Sequence, residues 1–142
     1  MSPATPTPET PPPGAPSLSR LLYVDDDPTL TLLTRISLER VGGFVVKTCA
    51  SGTQALAEAT AFAPDVILLD VMMPVMDGPA TLLALRQIPA LAGVPVIFMT
   101  AKVTSDDMTR YRELGVADVI GKPYDPVKLP DLVRSIWQRC RA

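Results

Sequence analysis

Three consecutive aspartates, Asp25-Asp26-Asp27, follow the short apolar run Leu21-Leu22-Tyr23-Val24, and a single one, Asp70, follows Val66-Ile67-Leu68-Leu69. A third run, Val94 to Met99, ends in Thr100, and a fourth, Val116 to Ile120, leads through Gly121 to Lys122. If these runs are parallel strands lying side by side, their polar ends converge on one edge of a sheet. Carboxylates gathered there make an acidic pocket fit for a hard divalent cation, and a hydroxyl and an ammonium beside them suit an oxyanion. The plainer reading of the aspartate triplet is helix capping, but a cap uses one carboxylate and not three.

Alternating patterns supply the elements that must hold these residues. Asp27-Pro28 opens a helix with a capping acid followed by proline at the first position, and Leu30, Leu33 and Ser37, widened by Ile36, form its expected buried stripe, ended by Gly42-Gly43. Phe44 to Cys49 reads as the second strand, and Ser51-Gly52 leads into a helix with Ala55, Leu56, Ala59 and Phe62 inward, left at Pro64. A third helix is expected from Gly78 to about Ile88 and a fourth from a cap at Thr104 or Ser105 to about Leu114. The last should run from about Pro126 to Arg141 with Leu129, Leu132, Val133, Ile136 and Cys140 on one face, and Trp137 packed against a neighbour. Strands alternating with helices predict an α/β doubly wound, five-stranded parallel sheet covered on both faces. This explains why the third and fourth strands are apolar throughout instead of alternating. In such sheets ligands bind beyond the carboxyl ends of the strands, where Asp25, Asp26, Asp70, Thr100 and Lys122 all fall.

Composition narrows the functional classes. Of 16 prolines in 142 residues, seven lie within residues 1 to 17, so residues 1–18 read as a disordered Pro-rich arm and 19–142 as one folded domain. No apolar stretch is long enough for a membrane span, and the arm has neither the basic start nor the apolar centre of a secretory signal, which leaves a cytoplasmic location as the default. With no histidine, and with Cys49 and Cys140 far apart, neither a zinc site nor a disulfide framework is expected. A pI near 5.0, with basic residues gathered only at Lys128, Arg134, Arg139 and Arg141, argues against a direct nucleic-acid partner.

The ordered set of motifs resembles the receiver domains of two-component response regulators, the CheY-like family. It comprises an acidic pair after the first strand, an Asp after the third with Pro74 and Gly78 four and eight residues on, Thr100 after the fourth, and Lys122-Pro123 after the fifth. The resemblance spans residues 20 to 141 and implies a flavodoxin-like (βα)5 fold of strand order 2-1-3-4-5. It further implies that Asp70 accepts a phosphoryl group from a phosphohistidine on a histidine kinase or phosphotransfer protein. Mg2+ (or Mn2+) would be held by Asp26 and Asp70 directly, by Asp25 through water and by the backbone carbonyl of Met72. Lys122 would pair with the phosphoryl oxygens, Thr100 would donate its hydroxyl to one of them, and the Lys122-Pro123 peptide bond would be cis, Pro123 being the cis-proline candidate. These types suit the chemistry: a carboxylate attacks phosphorus only if the charge around the transferring group is neutralised.

One position departs from the family's pattern. Where many receivers carry an aromatic ring that follows the threonine inward, this chain has Val119, a stiff side chain with no ring to swing. The expected role is that of a stand-alone phosphorelay protein, not an enzyme beyond its own phosphoryl transfer and dephosphorylation, because no second domain pattern follows. It would signal to a downstream protein target through altered binding, and a phosphorylation-dependent homodimer is one outcome the resemblance allows, with Asp107, Arg110, Lys128 and Arg134 as charged candidates on the face of the fourth helix, fifth strand and fifth helix. The alternative is a phosphorylation-independent interaction scaffold, favoured by Val119 and opposed by the complete acidic, Thr and Lys set. An aspartyl phosphohydrolase would need an acid at 72, where Met stands, and a flavodoxin-type carrier would need a Ser/Thr/Gly-rich phosphate loop in place of aspartates.

Overall fold

A computed structural model describes residues 18–101 and 104–141 of the chain. The expected arm lies outside them except for Leu18, which packs against the core. Five strands, β1 (Arg20–Val24), β2 (Val45–Cys49), β3 (Val66–Asp70), β4 (Val96–Thr100) and β5 (Asp118–Gly121), form one parallel sheet in the order β2-β1-β3-β4-β5. The helices α1 (Pro28–Ile36), α2 (Gly52–Phe62), α3 (Gly78–Arg86), α4 (Ser105–Glu113) and α5 (Leu129–Arg141) connect them or follow them. The doubly wound α/β architecture and its strand order are as the sequence implied.

Two cores follow from the two faces of the sheet. Alternate residues of each strand point to opposite sides. Leu22, Val24, Ile67, Leu69, Val96 and Phe98 therefore pack with Ala55, Ala59, Leu82, Leu85 and Tyr111 on one face. Leu21, Tyr23, Val66, Leu68, Ile97 and Met99 pack with Leu38, Leu129, Val133, Ile136 and Trp137 on the other. Burial on both sides is the reason β3 and β4 carry no exposed residue. The strands end slightly later than their apolar runs, so that Asp70 and Thr100 are the last residues of β3 and β4.

The α1 stripe is corrected. Leu33 and Ile36 are 52% and 43% exposed, whereas Ser37 is buried as expected and Thr34 and Leu38 are buried beside it. The inward side of α1 meets polar groups of the segment after β5: the Thr34 hydroxyl bonds the Tyr124 hydroxyl, and the Ser37 hydroxyl donates to the Pro126 carbonyl. Beyond Ile36 the helix widens into one π-type turn over Ser37–Val41, with Gly42 N–H donating to Ser37 O at 3.1 Å, a spacing that shifts the buried face. Gly43 then leaves at φ 76°, a conformation that favours glycine. On α5, Leu132 is 42% exposed and Cys140 is exposed, while Trp137 is buried as expected. Arg134 is also displaced from its expected surface: its guanidinium donates to the Gly42 carbonyl and lies 4.5 Å from the Phe44 ring, on the α1 and β2 side.

Candidate functional site

Sheet register brings the predicted residues together. Val24 pairs with Leu69, Asp70 with Met99 and Thr100 with Gly121, so the residues just past β1 and β5 and the last ones of β3 and β4 share one edge. Main-chain bonds continue the sheet outward and fix the loop starts: Asp25 N–H donates to Cys49 O at 3.1 Å, Val71 N–H to Met99 O at 3.0 Å and Lys122 N–H to Thr100 O at 2.8 Å. The Lys122-Pro123 peptide bond is cis, as the resemblance implied.

Lys122 is the hub of the site. Its Nζ donates to Asp70 Oδ1 at 2.9 Å and to Asp25 Oδ2 at 3.0 Å. Burial alone would lower its pKa, but the hydrogen bonds and charges of Asp70 and Asp25 outweigh that and hold it above the ordinary lysine value. Burial pushes the Asp70 carboxyl up, with the Asp25 charge adding to the rise, while Lys122 and the Met72 N–H oppose it. Thr100 is buried at the end of β4.

Asp25, Asp26 and Asp70 each offer a carboxylate oxygen within 4.8 Å of the others. Asp25 and Asp70 are buried and Asp26 is exposed. Among the described residues, the three carboxylates are met by one ammonium, that of Lys122, and an all-oxygen donor set of this kind fits Mg2+. Met72 places its N–H at Asp70 and its side chain in solvent, so an apolar residue there is compatible with a main-chain role.

Sequence reasoning passed over Tyr23. Its phenol is wholly buried and donates to Asp25 Oδ2 at 2.6 Å; burial first, and then that bond, drive its pKa far above the ordinary tyrosine value. Alternation along β1 carries the signal, since residues 23 and 25 point to the same side. Val119 lies opposite Phe98 in the sheet and packs half-buried against the core that holds Tyr111, whose ring meets Phe98 edge-on at 5.2 Å.

A five-stranded parallel sheet in the order β2-β1-β3-β4-β5, with a carboxylate-and-lysine cluster at its carboxyl edge, is a flavodoxin-like α/β domain of the receiver type. Residues 21–134 match the response regulator receiver domain family, and the chain belongs to it. It is 38% identical over 120 residues to the DNA-binding response regulator MtrA of Mycolicibacterium smegmatis, covering 84% of this chain and 51% of that protein. It is 36% identical to the alkaline phosphatase synthesis transcriptional regulatory protein PhoP of Bacillus subtilis, covering 84% of this chain and 49% of that protein. The chain thus spans about half the length of these relatives. Among solved structures, the chemotaxis protein CheY4 of Vibrio cholerae superposes with a TM-score of 0.79 at 28% identity, over 84% of this chain and 99% of that one. A CheY-like receiver domain from Methanospirillum hungatei JF-1 gives 0.75 at 26% identity, over 88% and 98%.

Proposed function

We propose that the chain is a phosphoacceptor response regulator in which Asp70 takes a phosphoryl group from a phosphohistidine of a kinase or phosphotransfer protein. The observation that carries this reading is the Lys122 bridge: one ammonium touches both Asp70 and Asp25, beside the Asp26 carboxylate. In the transfer, a carboxylate oxygen of Asp70 forms a bond to phosphorus while the P–N bond to the donor imidazole breaks, its electron pair returning to the ring. Lys122 exchanges part of its carboxylate pairing for the arriving phosphoryl oxygens, and Thr100 offers its hydroxyl to the same group. A bound Mg2+, held by Asp25, Asp26, Asp70 and the Met72 carbonyl, would supply charge neutralisation for the phosphoryl oxygens.

A partner that carries the phosphohistidine has a place to rest. Leu30, Leu33, Ala101, Pro123, Tyr124 and Pro126 line an apolar groove of about 380 Å³ that borders Lys122. No helix among the described residues is long and apolar enough to cross a membrane. The rival reading, a phosphorylation-independent scaffold, draws on Val119, which leaves the family's aromatic relay without its ring. Incubation with Mg2+ and acetyl phosphate separates the two. The proposed function requires one added phosphoryl group by mass spectrometry, located at Asp70, and no gain in Asp70→Asn. An unchanged mass in the parent protein, or an equal gain in the variant, would refute it.

A further inference from the structure

A phenol without water around it must find a partner inside the protein, and Tyr23 has taken a carboxylate of the site. The bond to Asp25 Oδ2, at 2.6 Å, has the shortness of a charge-assisted hydrogen bond. The same oxygen accepts from Lys122 Nζ at 3.0 Å, while among the described residues Oδ1 accepts from the Asp27 N–H alone, also at 3.0 Å. An ionised carboxylate has about four acceptor positions. Oδ2 is therefore filled by two donors, and Oδ1 is the oxygen with capacity left for a cation or a water on it.

The phenol is itself held. Thr34, wholly buried on α1, lies beside the Tyr23 phenol, and its hydroxyl bonds the hydroxyl of Tyr124 two residues past Lys122. Hydroxyls from β1, α1 and the segment after β5 thus gather behind Asp25, with Tyr23 and Thr34 wholly buried and Tyr124 half-buried. Packing alone would be served as well by phenylalanine and valine.

We infer that Tyr23 is a positioning residue of the cation site: backed by Thr34 and Tyr124, it fixes the Asp25 carboxylate so that Oδ2 anchors Lys122 and Oδ1 is left for the divalent cation. This rests on the proposed phosphoacceptor reading and deepens it. Groups that hydrogen-bond a ligating carboxylate, when removed, cost about tenfold or more in metal affinity. Tyr23→Phe, which removes one oxygen and keeps the ring, should weaken Mg2+ binding about tenfold. Thr34→Val, one bond further away, should weaken it about two- to threefold by the same mechanism.

The experiment is a titration of the full chain with Mg2+ alone, followed by amide chemical shifts, on the parent, Tyr23→Phe, Thr34→Val, Asp25→Asn and the Tyr23→Phe/Asp25→Asn pair. If Tyr23 acts through Asp25, its effect falls below about twofold in the Asp25→Asn background, a coupling that a general loss of packing would not produce. Thermal melts establish that each variant is folded, and Thr34→Val carries the test if Tyr23→Phe is not. Parent-like Mg2+ affinity in the folded variants, or an undiminished Tyr23→Phe effect without Asp25, overturns the inference and leaves the phosphoacceptor reading standing. No Mg2+ binding by the parent protein would overturn both.

Discussion

Asp70 carries its charge where the surroundings disfavour it. Its carboxyl is raised by burial and by the Asp25 charge despite the Lys122 bond, so between the ordinary value of 3.8 and its folded value the native state binds more protons than the unfolded one. Stability consequently falls as pH rises through that interval and stays lower above it. Asp70→Asn removes the charge while keeping an oxygen that can accept from Lys122 Nζ. Without Mg2+, the variant is expected to melt higher than the parent at pH 7, with the difference shrinking as the pH approaches 3.8. A melting temperature at or below the parent's at pH 7 would mean that the weakened Lys122 pairing outweighs the relief. The proposed function accounts for the tolerated strain: a carboxylate neutralised permanently by apolar surroundings or by a second tight cation could not act as the nucleophile that this reading requires.

The loop between β3 and α3 shows what an element contributes to the site. It is clamped at both ends: Gly78 N–H donates to Val71 O at 2.9 Å, and the Asp77 carboxylate caps α3 by accepting from Ala80 N–H at 2.9 Å. Gly78 is needed for this closure, because a Cβ there would stand 2.8 Å from both Asp70 O and Val71 Cα. Between the clamps Val75 sits fully exposed at φ 69°, a left-handed conformation poorly suited to a β-branched residue. The strain of about 1–2 kcal/mol exceeds the about 0.5–1 kcal/mol of chain entropy that glycine costs. Val75→Gly is expected to stabilise the protein by up to about 1 kcal/mol in urea denaturation; a lower midpoint would show that the valine makes an unrecognised contact. The element scale is also where sequence reading went astray. An apolar stripe on α1 assumes that the inward side meets apolar neighbours, but Thr34 and Ser37 face the Tyr124 hydroxyl and the Pro126 carbonyl, partners 90 and 89 residues away that no local pattern reveals. Leu33 and Ile36 were left on the surface for the same reason.

At the scale of the whole molecule, the site was legible because strand ends are where a parallel sheet exposes polar groups, and each of Asp25, Asp70, Thr100 and Lys122 closes or follows an apolar run. Tyr23 was not, since a tyrosine inside such a run reads as core until its hydroxyl is traced. Three residues at the start of the described part of the chain tie it into the fold. Leu18 packs on the second core, Ser19 N–H and Arg20 N–H both donate to the Asp65 carboxylate at 2.9 and 2.8 Å, and the Ser19 carbonyl accepts from Val45 N–H at 2.9 Å. The Arg20 side chain adds a bond to the Phe62 carbonyl at 2.8 Å and lies over the Phe62 ring. By contrast, residues 2–17 offer nothing apolar larger than Ala apart from proline. Two truncations should therefore behave differently. A chain beginning at residue 18 is expected to match the full chain within about 0.5 kcal/mol in urea denaturation, the range of surface changes, and to take up phosphoryl from acetyl phosphate at the same rate. One beginning at residue 21 loses the Asp65 bonds, the main-chain bonds of Ser19 and Arg20 to Val45 and Asp65, the Arg20 bond to Phe62 and the Leu18 and Arg20 packing, and should fall by about 3–5 kcal/mol, at about 0.5–1 kcal/mol for each hydrogen bond plus the packing. Equal stability of the two shortened chains would refute the assignment of residues 18 to 20 to the folded unit, and a large loss on removing residues 1–17 alone would place part of the arm in it.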